Sequence, residues 1–171
     1  MAHWQMLTLV GKDQPGIVAA VSAVLYKNNA NLGEAAMQRL GANFTIMMMV
    51  DYAGSAEDLL SIVTPVAARF GLKEHVDVIE GRLHAHLQAD VSISLYGADR
   101  AGIVASATER LAQAGLHILA LHTDVAGTEE KPVFVMEISG HAAQGVEALR
   151  EAVDDLDDLE IHIDPLQTMI G

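Results

Sequence analysis

The sequence predicts an α+β fold made of two βαββαβ modules, each an antiparallel sheet backed by two helices. Three observations carry that expectation. Gly11, Asp13, Gly16, Ile17 and Val18 recur as Gly97, Asp99, Gly102, Ile103 and Val104, at a constant offset of 86 positions. The offset holds through Leu32 and Ile118, then becomes 90 where Phe44 of NFTIMMMV answers Phe134 of VFVMEISG. Within each copy, runs of apolar residues with a period of two alternate with runs of helical period. The four extra residues of the second copy fall around 126–132 (AGTEEKP). That stretch is polar, so a loop is expected there, where added length costs little.

Each element follows from its pattern. Leu7 and Leu9 flank Thr8 in a first strand. A helix over 15–28 would bury Ile17, Val21, Val24 and Leu25, with Pro15 in its first turn, where no backbone donor is lost. A second strand over 32–40 and a turn at 41–43 lead to a third strand. There Phe44, Ile46, Met48 and Val50 face one way and Met47 and Met49 the other, the methionines offering an adaptable contact surface. Ser55 and Asp58 have capping-box spacing ahead of Leu59, Val63, Val66 and Phe70, while Pro65 predicts a kink or a late start in that helix. The fourth strand is expected over 76–83. The second copy repeats the order at 91–96, 102–114, 116–125, 133–139, 143–156 and 159–163. With right-handed crossovers this order is the ferredoxin-like arrangement, and the modules divide into 1–84 and 85–171, near LHAHLQAD.

Composition narrows the function. The 171 residues carry 23 acids against 10 scattered bases, a formal net charge of −13. Without a basic stripe, direct binding to nucleic acid or to anionic lipid is not expected. Cysteine is absent, which removes disulfides, thiolate metal sites and thiol nucleophiles. Neither a signal peptide nor an apolar run of about 20 residues is visible, so a cytoplasmic protein is expected. His84 and His86 lie two apart, and His117, His122, His141 and His162 fall in the second half, without the spacing of a metal centre. No metal or cofactor is expected. In REAVDDLDDLE (150–160), Val153 and Leu156 should face inward and Asp154, Asp155, Asp157 and Asp158 outward, as a solvated face or a dock for a basic partner. No catalytic constellation emerges. An acylphosphatase-like hydrolase would need a phosphate-cradling arginine in the first loop, which instead holds Lys12 and Asp13; only Arg100 offers one, in the second copy.

The strand-to-helix turn GKDQPG is the chemical centre of the module. Gly11 is expected to permit an unusual backbone conformation, and Gly16 to remove a Cβ that would block a ligand. The first amides of the following helix lack internal partners and favour an anion. Asp13 can cap the helix or receive an ammonium group. An anion receiver beside a cation receiver suits a zwitterion such as a free amino acid. The same residues could equally do no more than build a turn.

VGKDQPGIVAAVSAVLYKNNANL (10–32) and the third strand GANFTIMMMV resemble the ACT domain, a small-molecule-binding regulatory module of amino-acid metabolism. Two such modules with GKDQPGIV in the first resemble the glycine cleavage system transcriptional repressor family and its tandem-ACT relatives. The resemblance implies modules that pair side by side and bind an amino acid, glycine or a relative, where they meet. It places ligand contacts at Gly11, Asp13, Pro15, Gly16 and Ile17, and at Asn31 and Leu32. The matching positions are Gly97, Asp99, Ala101 and Gly102, then His117 and Ile118, where Ala101 replaces proline and His117 replaces asparagine. It further implies a non-enzymatic sensor, a homodimer, that signals to a protein partner. Because of its charge, any control of transcription would pass through a DNA-binding regulator. A ligand-independent interaction module is the alternative.

Overall fold

In the computed structural model, residues 3–79, 87–128 and 130–166 are described; His84 and His86 lie outside the described residues. The chain forms two compact units, Met1–Ala85 and His86–Gly171. In the first, β1 (Trp4–Lys12), α1 (Ile17–Lys27), β2 (Asn31–Leu40), β3 (Asn43–Asp51), α2 (Ala56–Phe70) and β4 (Lys73–Val78) follow in turn. The second repeats them as β5 (Val91–Ala98), α3 (Ile103–Gln113), β6 (Leu116–Thr128), β7 (Lys131–Ala142), α4 (Val146–Val153) and β8 (Leu159–Pro165). Each sheet is antiparallel between neighbours, in the orders β2-β3-β1-β4 and β6-β7-β5-β8. Two βαββαβ ferredoxin-like units result, of the α+β class. No helix among the described residues is long and apolar enough to cross a membrane.

Alternation decides which sheet face is covered. Leu7 and Leu9 of β1 and Phe44, Ile46, Met48 and Val50 of β3 are buried together with Ile17, Val21 and Leu25 of α1 and Leu59 and Val63 of α2. Met47 points the other way and is 49% exposed. The second unit buries Ile93, Leu95, Met136 and Ile138 against Ile103, Leu111 and Leu149 in the same manner. One residue bulges between Leu32 and Ala35 in β2, and one between Ile118 and Ala120 in β6. The same irregularity at matching places marks the copies as one design.

Several expectations are corrected. The helix bearing Pro65 does not start late: it runs from Ala56 through Phe70, opened by Ser55, whose hydroxyl accepts from the Asp58 N–H while Asp58 accepts from the Ser55 N–H. Burial of Leu59, Val63, Val66 and Ala67 offsets the roughly 3 kcal/mol that proline costs inside a helix. β4 begins at Lys73 and not at 76, because Val10 pairs with Lys73 and so draws three more residues into the ladder. α4 is shorter than the expected 143–156, ending at Val153 before the turn that carries Asp154 and Asp155. The four-residue insertion does not enlarge a loop. It adds two rungs, Gly127 opposite Pro132 and Thr128 opposite Lys131, and so lengthens the β6–β7 hairpin.

Candidate functional site

The turn between β1 and α1 is clamped on two sides. On one, the Asp13 N–H donates to the Ala42 carbonyl of the β2–β3 hairpin at 2.9 Å. On the other, Gln14 Nε2 donates to the Phe70 carbonyl at the end of α2 at 2.8 Å. Gly11 does not have the unusual backbone conformation expected of it. Gly11 is ordinary extended strand, and a Cβ there would stand 2.8 Å from Leu72 Cδ2 and 3.2 Å from the Gly71 carbonyl oxygen. Gly16 has φ of +90° and open space where its Cβ would be. Gly11 therefore serves close packing, and Gly16 the backbone conformation.

Gly16 is also the N-cap residue of α1, so Pro15 precedes the helix and does not sit in its first turn. Asp13 does not cap. No side chain caps α1, and no acid stands in its first turn. Asp13 instead forms an ion pair with Arg39 of β2, Nε to Oδ2 at 3.1 Å, with the two side chains 32% and 62% exposed. Nothing in the sequence marks Arg39 for this role: it lies 26 residues downstream and meets the turn only because β2 pairs with β3 and places Arg39 opposite Phe44, itself opposite Gly11. The turn thus presents a carboxylate paired with a guanidinium, three residues before the uncapped start of α1. That is chemistry able to hold both ends of a zwitterion.

Ile17 is buried in the core beneath this turn, so it supports the turn and offers no side chain to a ligand from solvent. Asn31 and Leu32 are elsewhere. Asn31 pairs with Asp51, at the opposite end of the sheet from the Lys12–Asn43 rung that precedes the turn. Eight residues of strand separate the two ends, roughly 26 Å. Within one unit, Asp13 and Asn31 do not come together.

The second turn copies the backbone and not the charges. Gly102 has φ of +91°, and a Cβ on Gly97 would collide with Leu159 Cδ2. Arg100, at the position of Gln14, ties the turn to the α4–β8 junction by pairing with Asp158. Its guanidinium is paired with that carboxylate at the surface. Val125 stands opposite Phe134 where Arg39 stands opposite Phe44, so among the described residues the pair beside Asp13 has no counterpart beside Asp99. His117 lies opposite His141, whose Nδ1 is 2.6 Å from Asp90 Oδ2. The Ala142 N–H, donating to Asp90, holds that carboxyl below the usual carboxylate range against the opposing effect of burial, with help from His141. Among the described residues no cluster of histidines and acids could hold a metal ion.

An ACT domain family model matches residues 5–77, from the start of β1 to the end of β4. A UPF0237 protein of Clostridium perfringens is 33% identical over 73 residues, 43% of this chain and 81% of that protein. A UPF0237 protein of Methanococcus maripaludis is 32% identical over 74 residues, 42% of this chain and 82% of that protein. Over both units, a crystal structure of an unknown protein from Galdieria sulphuraria matches with a TM-score of 0.73 at 20% identity, covering 98% of this chain and all 100% of that one. A putative glycine cleavage system transcriptional repressor matches with a TM-score of 0.71 at 19% identity, covering 98% and 99%. With its first unit matched from first strand to last, and a relative of that unit four-fifths covered at 33% identity, the chain belongs to the ACT-domain family.

Proposed function

We propose that the chain is a non-catalytic sensor that binds a small amino acid at the first strand-to-helix turn and passes its occupancy to a protein partner. The observation that carries this reading is the exposed Asp13–Arg39 pair beside the uncapped, acid-free start of α1. An exposed ion pair is worth only about 0–1 kcal/mol, so a zwitterion can open it cheaply. The ligand ammonium then takes Asp13, and its carboxylate takes Arg39 and the helix amides. The resemblance of GKDQPGIV to the glycine cleavage repressors makes glycine the first ligand to try.

Each unit is read as one ACT domain. Because Asn31 lies at the far end of the sheet, it reaches such a ligand only from another module, so the reading carries a homodimer with it. The open face of the first sheet, with Met47 and Val10 exposed, is the surface assigned to that pairing. A net charge of −13 directs the output to a protein, in the cytoplasm, and a DNA-binding regulator is the partner through which it would reach transcription. A second reading, a ligand-independent interaction module, is favoured by the fact that Asp13 already has a partner in Arg39.

A thermal-shift panel of the twenty amino acids separates the two. Ligand at a hundred times its dissociation constant should add about 2.7 kcal/mol of stability. Asp13→Ala should weaken binding about tenfold or more, having lost a charge-assisted contact of roughly 1.5–3 kcal/mol, and Asp99→Ala should matter less. Equal ligand shifts in wild type and both variants would leave the interaction module standing.

A further inference from the structure

The second helix of each unit ends differently. α2 has 15 residues and carries Arg69 in its last turn, with Gly71 as its C-cap. α4 has only 8 and stops at Val153, with Asp154 as its C-cap. Where the shorter helix leaves off, a cleft of about 410 Å³ lies between it and β8. Its apolar lining is Val153, Leu156, Leu159, Ile161 and Ile163. Val153 and Ile163 are buried, whereas Leu156, Leu159 and Ile161 are left half-buried. Ile161 stands opposite Leu95 in the ladder as Glu74 stands opposite Leu9 in the first unit. An apolar residue at this place is therefore particular to the second copy.

Charge marks the same cleft. The C-terminus of a helix carries partial negative charge and is stabilised by cations, so aspartates there work against stability. The turn after α4 nevertheless carries Asp154, Asp155, Asp157 and Asp158. Two of these are neutralised within the unit: Asp155 pairs with Arg110 of α3, and Asp158 with Arg100. The side chains of Asp154 and Asp157 are exposed and have no partner among the described residues. Those two are the ones that line the cleft. Arg150 lines it as well, but its guanidinium is taken by Glu147 and the Ile163 carbonyl. Glu151 stands exposed one turn before Asp154, so the negative surface runs on past the cleft along α4.

We propose that the α4–β8 cleft docks a protein partner through a short amphipathic segment, whose leucine-like side chains enter the cleft while its lysines or arginines meet Asp154 and Asp157. An apolar floor asks for apolar side chains, and unpaired carboxylates beside it ask for cations next to them. A cleft that continues into an acidic helix surface favours an extended partner over a small cation. The proposal rests on the reading of the chain as a sensor that signals to a protein, and adds where and by what chemistry that protein is held.

Fluorescence anisotropy of a short labelled helical peptide of leucine and lysine, titrated with the full chain, tests the dock. That peptide should bind saturably, and leucine–glutamate or serine–lysine peptides at least about tenfold more weakly. Asp154→Asn and Asp157→Asn together should weaken the leucine–lysine peptide about tenfold, the worth of two exposed ion pairs. Glu57→Gln with Asp124→Asn removes the same charge from other exposed sites and should weaken it less than about twofold. Ile161→Gln should weaken it about fivefold through the lost apolar floor, at a position where the first unit already accommodates a glutamate. Asp13→Ala, which tests the amino acid site, should leave peptide affinity unchanged, so failure here and failure at the turn are told apart. Equal weakening by both charge-matched pairs, or equal binding of the serine–lysine peptide, would reduce the effect to attraction by a net charge of −13 and overturn the dock. Absence of saturable binding by the leucine–lysine peptide would overturn it as well.

Discussion

The two units share a backbone and differ in what they place on it. At the turn, Asp13 has Arg39 across the sheet where Asp99 has Val125. On the open sheet face, Met6, Val10, Met47 and Met49 of the first unit correspond to Ser92, Tyr96, Glu137 and Ser139 of the second. Under the end of the first strand, Gln5 corresponds to Val91. The second unit keeps what the fold needs, has an Arg100–Asp158 pair at its turn in place of Asp13–Arg39, and loses the buried amide in the core, while its open face becomes the more polar one. Duplication thus works as an internal control. Features present in both copies, the packed glycine, the positive-φ glycine and the bulge, belong to the architecture. Features present in one copy are candidates for function.

The largest test of this comparison exchanges the buried residues. Val91→Gln places an amide into a fully buried, apolar site. The expected loss is about 2–5 kcal/mol, from desolvation of the amide and overpacking together. Gln5→Val should lie within about 1 kcal/mol of wild type, since relief of the unpaired acceptor offsets the lost bond to Gly54. Urea unfolding followed by circular dichroism reads both. Equal losses at the two positions would mean that Gln5 is as structural as Val91.

The glycines give a second, smaller contrast. Gly16→Ala should cost about 1–2 kcal/mol through its backbone alone, because nothing stands within 4 Å of the new Cβ. Gly11→Ala should cost about 1–3 kcal/mol through crowding against the Gly71–Leu72 backbone, which cannot swing away as a side chain can. Asparagine separates the causes. It tolerates the left-handed region, so Gly16→Asn should be milder than Gly16→Ala, whereas Gly11→Asn should be worse than Gly11→Ala. The same order for both substitutions at both sites would refute the division of roles.

That division shows what the sequence makes legible. Element order, the repeat, the alternation through Phe44, Ile46 and Val50 and the Ser55–Asp58 box are all local patterns, and each stands in the structure. Turn chemistry announces glycines at 11 and 16, but which one packs and which one bends depends on Leu72, distant in sequence and near in space. Arg39 was invisible for the same reason. A charged residue on an exposed strand carries no mark of the turn it will meet. The late start suggested by Pro65 does not occur, because helix propensity yields to burial of four residues on one face. Gln5 stood inside an otherwise apolar strand pattern, and only the position of Gly54 reveals that half of its amide is left without a partner.

The smallest effect separates the units in acid. In the first, the Ser55 hydroxyl and then the Ser55 N–H hold the Asp58 carboxyl below its ordinary range. In the second, the Ala142 N–H and, more weakly, His141 do the same for Asp90. A carboxyl whose folded pKa lies below its unfolded value, about 3.9, stabilises the fold fully above that value. The contribution is lost as pH falls through the folded pKa. Each unit should therefore weaken below about pH 4 through its own carboxylate. Asp58→Asn should flatten the acid transition of the first unit, read at Trp4, and leave the second unchanged. Asp90→Asn should leave the Trp4 transition in place and flatten the remainder of the circular dichroism change. Asp58 is exposed and Asp90 only partly buried, so the expected change is a modest shift of the acid midpoint, with no loss of fold at neutral pH. If either substitution moved both transitions alike, the units would share one acid response, and the contrast drawn between their carboxylates would fail.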